Sequence, residues 1–132
     1  LTLIEVLAAV AVTTLVGLLL LMNLQPQLLV YAQHQTVSVV AERLREAHAA
    51  ALARDGPVAA AVGADGRALG VSGAPPSIAP PGVGLSVPGE RVIIFFGDGS
   101  SNGGVVWVTA RGRSTPVWVV AATGSVAIGR KA

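Results

Sequence analysis

The residues able to do chemistry in this chain are few and scattered. It has two histidines, seven carboxylates, nine basic side chains and no cysteine. His34 and His48 lie fourteen residues apart in a segment that reads as helix, about 21 Å along the axis. One chain therefore does not bring them to a shared metal or a proton-relay dyad, and solvated helix histidines are expected. Serine is plentiful, but there is no G-x-S-x-G elbow and no histidine beyond residue 48 to act as a base. Glu90 and Asp98 sit near Phe95 and Phe96 in loop-like positions, with no partner pattern for acid–base work. Without cysteine, disulfides and thiol catalysis are excluded. No enzymatic activity and no cofactor are expected.

One loop needs separate treatment. Asp98-x-Ser100-x-Asn102-Gly103 copies the first half of a calcium loop, in which oxygens at alternate positions converge on a hard cation. The position that should supply the bidentate glutamate is Thr109, in a predicted strand. Asp98, Ser100 and Asn102 remain a weak candidate set. The favoured expectation is a flexible hairpin loop over 97–104 that uses Gly, Asp and Asn for turn geometry. A phosphate cradle would want a Lys-Ser/Thr pair opening a helix, which is absent.

Glu5 is the single charge among residues 1–22. A charged side chain at a bilayer midplane costs roughly 2.5–3.5 kcal/mol; near a helix N-terminus the cost falls and the dipole favours an anion. Two readings follow. Glu5 is a first-turn glutamate that snorkels to the surface, or it compensates a buried positive charge. The nearest such charge is an N-terminal amine, on its own chain or on a neighbour.

The elements that carry these residues divide the chain. Residues 1–54 read as one helix rich in Leu, Ala and Glu. Pro26 removes the amide that would bond to the Met22 carbonyl, so a kink or loosened turn is expected around Met22–Pro26. The first part, 1–26, is apolar all round and at about 1.5 Å per residue is long enough for a roughly 30 Å hydrocarbon core. In 27–55 the pattern becomes amphipathic. Val30, Val37, Val40, Leu44, Ala47 and Ala51 follow helical spacing and are expected to pack against partner helices. The same face is the available cover for the chain's own strands, while Gln33, Gln35, Glu42, Arg43, Arg45 and Glu46 take the remainder. Asp55-Gly56-Pro57 is the stop, with glycine at the expected left-handed cap.

Residues 56–132 read as a β domain. Strands are predicted at 58–62, 67–72, 83–87, 91–96, 105–109, 116–121 and 126–128. An Asp65-Gly66 turn joins the first two, and a four-proline surface loop occupies 73–82. Trp107 and Trp118 are expected to pack in the core or at an edge. Strands after helix, without βαβ alternation, make the class α+β.

Apolar residues are 52% of the chain and charged residues 12%, half the usual share, and most of the excess lies in 1–22. The net charge of +2 is small and the bases are scattered, so direct nucleic-acid binding is not expected. The chain begins at Leu1 rather than Met, and a processed or trimmed chain is expected. No Lys or Arg occurs before Arg43. The flank after the span thus lacks the positive charge that retains a loop in the cytoplasm, and the C-terminal side is expected to be translocated.

Leu1-Thr2-Leu3-Ile4-Glu5, followed by Val6-Leu7-Ala8-Ala9-Val10-Ala11-Val12, resembles the mature N-terminus of type IV pilins and pseudopilins. Four of the five residues of the usual Phe-Thr-Leu-Ile-Glu match, with Leu1 in place of Phe. The resemblance implies a pilin fold, removal of a short leader by a prepilin peptidase, N-methylation of Leu1, and helix packing into a filament. It also implies pairing of Glu5 with the N-terminus of an adjacent subunit. Ala41–Ala47, Ile93–Val106 and Ala121–Ile128 with Thr123-Gly124 are similar to GspH/FimT-type minor subunits. Pro26 stands later than the proline common near position 22 in that family. The implied function is that of a minor pseudopilin, initiating or capping a periplasmic pseudopilus of a type II secretion system. Its partners would be other subunits, the assembly platform and inner-membrane lipid, with a single-pass chain and a periplasmic C-terminal domain. A minor type IV pilin in pilus assembly, adhesion or DNA uptake is the sister reading. A single-span binding protein that never polymerises is the reading from another class.

Overall fold

The computed structural model describes residues 2–129, apart from the side chains of residues 25 and 26. Helix α1 runs over Leu3–Arg54 as one helix, continuing through the segment where Pro26 predicts a kink. Among the described residues eight strands follow: β1 (Val58–Val62), β2 (Ala68–Val71), β3 (Ser77–Ile78), β4 (Val83–Ser86), β5 (Ile93–Phe95), β6 (Gly104–Ala110), β7 (Arg113–Val119) and β8 (Val126–Ile128). A 3-10 turn at Pro88–Glu90 joins β4 to β5. The proline-rich 73–82 segment is loop, as expected, except for β3, which pairs with β2.

The strands form two antiparallel four-stranded sheets rather than one. Sheet A has the order β3-β2-β1-β5 and sheet B the order β4-β6-β7-β8. Both turn one face toward the helix. Val58, Leu69 and Phe95 of sheet A and Val83, Val106, Val108 and Val117 of sheet B close over Val40, Leu44, Ala47 and Ala51 of α1. Alanine at 41, 47 and 51 lets the helix come close, so a single helix seals both sheets into one core.

That arrangement corrects the expected partner stripe. Val37, Val40, Leu44, Ala47 and Ala51 are buried within the chain against its own sheets, so they are not free to meet a partner's helix; Val30 alone stays exposed, at 45%. The β strands are the nearest apolar surface and are tethered to the helix, so they take the stripe first. Gln33, expected on the polar face, is also buried. Its Nε2 donates to the carbonyls of Val108 (3.1 Å) and Arg113 (2.8 Å), which ties α1 to the β6–β7 hairpin. Gln33→Ala strips both carbonyls of a buried donor and is expected to lower stability by about 2 kcal/mol, read from thermal melting of the full chain in detergent.

The helix stop also differs in detail. Asp55, not Gly56, adopts the left-handed conformation (φ 51°, ψ 43°). The amide of Asp55 bonds to the Leu52 carbonyl (3.4 Å) and that of Gly56 to the Ala51 carbonyl (3.3 Å), the paired closure of a Schellman motif. Aspartate tolerates this region better than most non-glycine residues.

Candidate functional site

At the N-terminus, Thr2 is extended (φ −96°, ψ 156°) and its hydroxyl accepts the Glu5 amide at 3.3 Å. Thr2-x-x-Glu5 is thus the capping pattern of a helix start, a signal present in the sequence that the reading of Glu5 passed over. Glu5 is exposed in the first turn, where the helix dipole favours an anion. Leu1, the expected methylation site, lies outside the described residues. Among the described residues the ion pair present is Arg43–Glu46 (3.4 Å).

The apolar half of α1 touches almost nothing in its own chain. From Leu3 to Leu24 every residue but Gly17 is exposed, including Leu7, Val10, Leu15 and Leu18–Leu21. The hydroxyls of Thr13 and Thr14 donate to the carbonyls of Ala9 and Val10, each at 2.8 Å. These two hydroxyls are therefore satisfied inside the helix and ask nothing of water. Among the described helices, α1 is long and apolar enough to cross a membrane. Chemically this is an apolar rod with one carboxylate at its end, able to pack laterally against lipid or other helices.

At the other end of the molecule, α1 is locked to two turns. The 97–104 segment begins as the expected tight hairpin turn, with Phe95 bridged antiparallel to Ser101, but β5 belongs to sheet A and β6 to sheet B, so beyond that bridge it carries the chain between sheets. It is held firmly. Gly97 lies so close to the helix stop that a Cβ there would come within 2.5 Å of the Asp55 carbonyl carbon and 2.7 Å of the Gly56 nitrogen. His48, expected to be solvated, is half-buried. Its Nε2 lies 2.9 Å from the Gly99 carbonyl, which makes that nitrogen the donor, and its ring is 5.7 Å from that of Phe95. Gly124 faces the same imidazole: a Cβ there would lie 2.6 Å from His48 Cδ2 and 2.5 Å from the Gly99 oxygen. Ser101 joins the two turns through the Ala121 carbonyl, at 2.8 Å. Spacing alone does not reveal this clasp, because His48 and Gly99 are 51 residues apart and Gly124 lies 25 beyond Gly99. His34 is exposed, as expected.

The candidate cation residues are not assembled for a metal. Asn102 turns its amide to the edge of β5, accepting from the Ile94 amide (2.9 Å) and donating to the Val92 carbonyl (2.8 Å). Asp98 accepts from the Ser100 amide (2.9 Å) and hydroxyl (2.6 Å). Those hydrogen bonds, the hydroxyl's first, hold its carboxyl below the ordinary aspartate range. The three side chains serve turn geometry and cover the edge of sheet A. Trp107 and Trp118 are half-buried on the outer face of sheet B, edge to face at 6.3 Å, and Trp118 Nε1 donates to the Gly129 carbonyl at 2.6 Å.

The fold is similar to that of the type IV minor pilin FimU of Pseudomonas aeruginosa (strain PAO1). The likeness has a TM-score of 0.59, covers 82% of this chain and 92% of that one, and comes with 12% sequence identity. The chain has the pilin fold, a long N-terminal helix packed on a small antiparallel β domain. No family model and no curated protein sequence matches it.

Proposed function

We propose that this chain is a structural subunit, not an enzyme, of a membrane-anchored filament. The observation that carries this reading is the division of α1. Its second half is consumed by the chain's own core, while its first half is a fully exposed apolar rod. About 25 cal/mol per Å² of apolar surface drives such a rod out of water, into a bilayer before assembly and into a bundle of like helices after it. Residues 1–26 then form the filament core, 27–55 the shaft that bears the domain, and 56–132 the exposed β domain. A prepilin peptidase, methylation at Leu1 and an inner-membrane assembly platform belong to the same proposal, with the β domain periplasmic.

Within this reading, the likeness of Ala41–Ala47, Ile93–Val106 and Ala121–Ile128 to GspH/FimT-type subunits favours a minor pseudopilin of a type II secretion system. The fold shared with FimU, a type IV minor pilin, favours the sister role in a pilus. Deletion in the native host separates them: loss of secreted substrate supports the first, loss of surface pili the second.

Glu5 supplies the sharper test, because its backbone amide takes part in the helix cap and its side-chain type also suits that position. Glu5→Gln keeps a side chain suited to the capping position but loses the charge; Glu5→Ala loses both. If Glu5 neutralises a neighbour's amine, both variants leave that amine uncompensated at roughly 2.5–3.5 kcal/mol. Incorporation into filaments and pull-down of partner subunits are then expected to fall more than about tenfold for both. Wild-type incorporation of Glu5→Gln would falsify the charge role and leave the cap.

A further inference from the structure

The membrane-proximal end of the β domain carries two arginines that neither the core nor the helix rod explains. We propose that Arg111 and Arg113, at the tip of the β6–β7 hairpin, dock on the phosphates of anionic phospholipid headgroups while the subunit resides in the bilayer. The inference rests on the anchor reading of α1.

Three observations carry it. The first is depth. At about 1.5 Å per residue, Leu3–Leu24 spans about 33 Å, which fits a hydrocarbon core of about 30 Å. Gln27–Val30 then lie about 5–9 Å beyond Leu24 along the axis, within a headgroup zone of about 5–8 Å on each side. The hairpin tip is at that level, since Gln27, Val30 and Gln33 line one open cleft, about 570 Å³ in volume, with Ala110, Arg111 and Arg113. Gln33 fixes the height by holding the Arg113 carbonyl at 2.8 Å.

The second is charge. Both arginines are exposed, and no carboxylate lines the cleft. Asp55 and Asp98 lie at the far end of the domain, around the helix stop. Asp65 lines a neighbouring cleft, with Arg67, Gly82 and Thr109; a guanidinium pair whose own cleft holds no acid, at headgroup height, is complementary to lipid phosphate.

The third is conformation. Ala110 pairs with Arg113, so Arg111-Gly112 is a two-residue turn, and both residues have positive φ (51° and 75°). That turn favours Asn, Asp or Gly at its first position. An arginine there holds an unfavourable left-handed backbone, a cost that turn formation does not require.

The test uses the full chain. The sequence has no cysteine, so Ser114→Cys places one fluorophore beside the tip. The chain is inserted in nanodiscs of phosphatidylcholine, with or without phosphatidylglycerol, containing a headgroup-labelled quencher lipid. Docking is expected to be favoured in the anionic discs and lost near 1 M salt, where the Debye length is about 3 Å. The double variant Arg111→Asn with Arg113→Gln relieves the strained turn, so it folds, yet removes both charges. Each basic residue near an anionic surface is worth roughly a fivefold preference, so the docking constant is expected to fall by up to about thirtyfold. Equal quenching in both discs, or none lost in the double variant, overturns the inference. So does a variant that alters only chain-to-chain crosslinking, which would assign the arginines to a second subunit. Retention of the chain in the discs after alkaline washing is scored separately. A chain that stays inserted without charge-dependent quenching overturns this inference alone, and one that never inserts overturns the anchor.

Discussion

Gly97→Ala is expected to destabilise the full chain by about 3 kcal/mol, lowering Tm by roughly 10–20 °C for a domain of this size. The new methyl would meet backbone, the Asp55 carbonyl carbon at 2.5 Å and the Gly56 nitrogen at 2.7 Å. Backbone does not rotate aside as a side chain does. The atoms it strikes form the helix closure, in which Asp55 is already left-handed, so relief means opening either the closure or the inter-sheet crossing. Gly56→Ala is the matched control. Its methyl would approach only the Arg54 oxygen, at 3.9 Å, and it should melt close to the native chain. Similar melting curves for the two variants, followed through Trp107 and Trp118 fluorescence, would show that the close approach is not maintained in solution. Gly124→Ala should fall with Gly97→Ala, because its methyl meets the Gly99 oxygen at 2.5 Å and the residue has φ 67°.

The second large effect is expected at Leu44. This side chain is fully buried at the seam between α1 and both sheets. Leu44→Ala removes its apolar area and leaves a cavity that two paired sheets cannot collapse to fill, a loss of about 3 kcal/mol. Leu20→Ala makes the same chemical change on the exposed rod and should leave the melting of the β domain nearly unchanged. In filaments the order should reverse, with Leu20→Ala weakening assembly while the folded Leu44→Ala population still assembles. Equal melting of the two variants would mean that the helix does not seal the core. The same contrast revises where assembly is sought. Crosslinking from the buried Val37, Val40, Leu44, Ala47 and Ala51 would report only contacts within the chain, whereas positions from Leu7 to Leu21 report neighbours.

Much of this architecture was legible because it is local. The α1 C-terminus was marked by Asp55-Gly56-Pro57, and β1, β4 and β8 by short Val- and Ala-rich runs between turn residues. The observed bounds match expectation at β1 and β8, and β4 ends one residue earlier, at Ser86. The start of β7 was missed because Arg113–Thr115 is polar, and its place is set by pairing with β6 through the Arg111-Gly112 turn. His48 was misjudged for a related reason. Helical periodicity says which side a residue faces, but not what waits there, and here it was a carbonyl from residue 99 and a glycine from residue 124.

The sequence by itself determined that the chain is α+β, that residues 1–26 are an apolar rod with a carboxylate near its start, and that no catalytic set is spelled out. These follow from composition and from periods of two and 3.6, which any stretch of chain expresses alone. Only the tertiary structure decided that the strands split into two sheets, that the 97–104 segment crosses between them, and that the amphipathic stripe is consumed internally. Only it brought Arg111 and Arg113 level with Gln27–Val30. Such facts rest on which distant surfaces win the competition for one apolar face, and pairings across 50 or 80 residues leave no periodic trace.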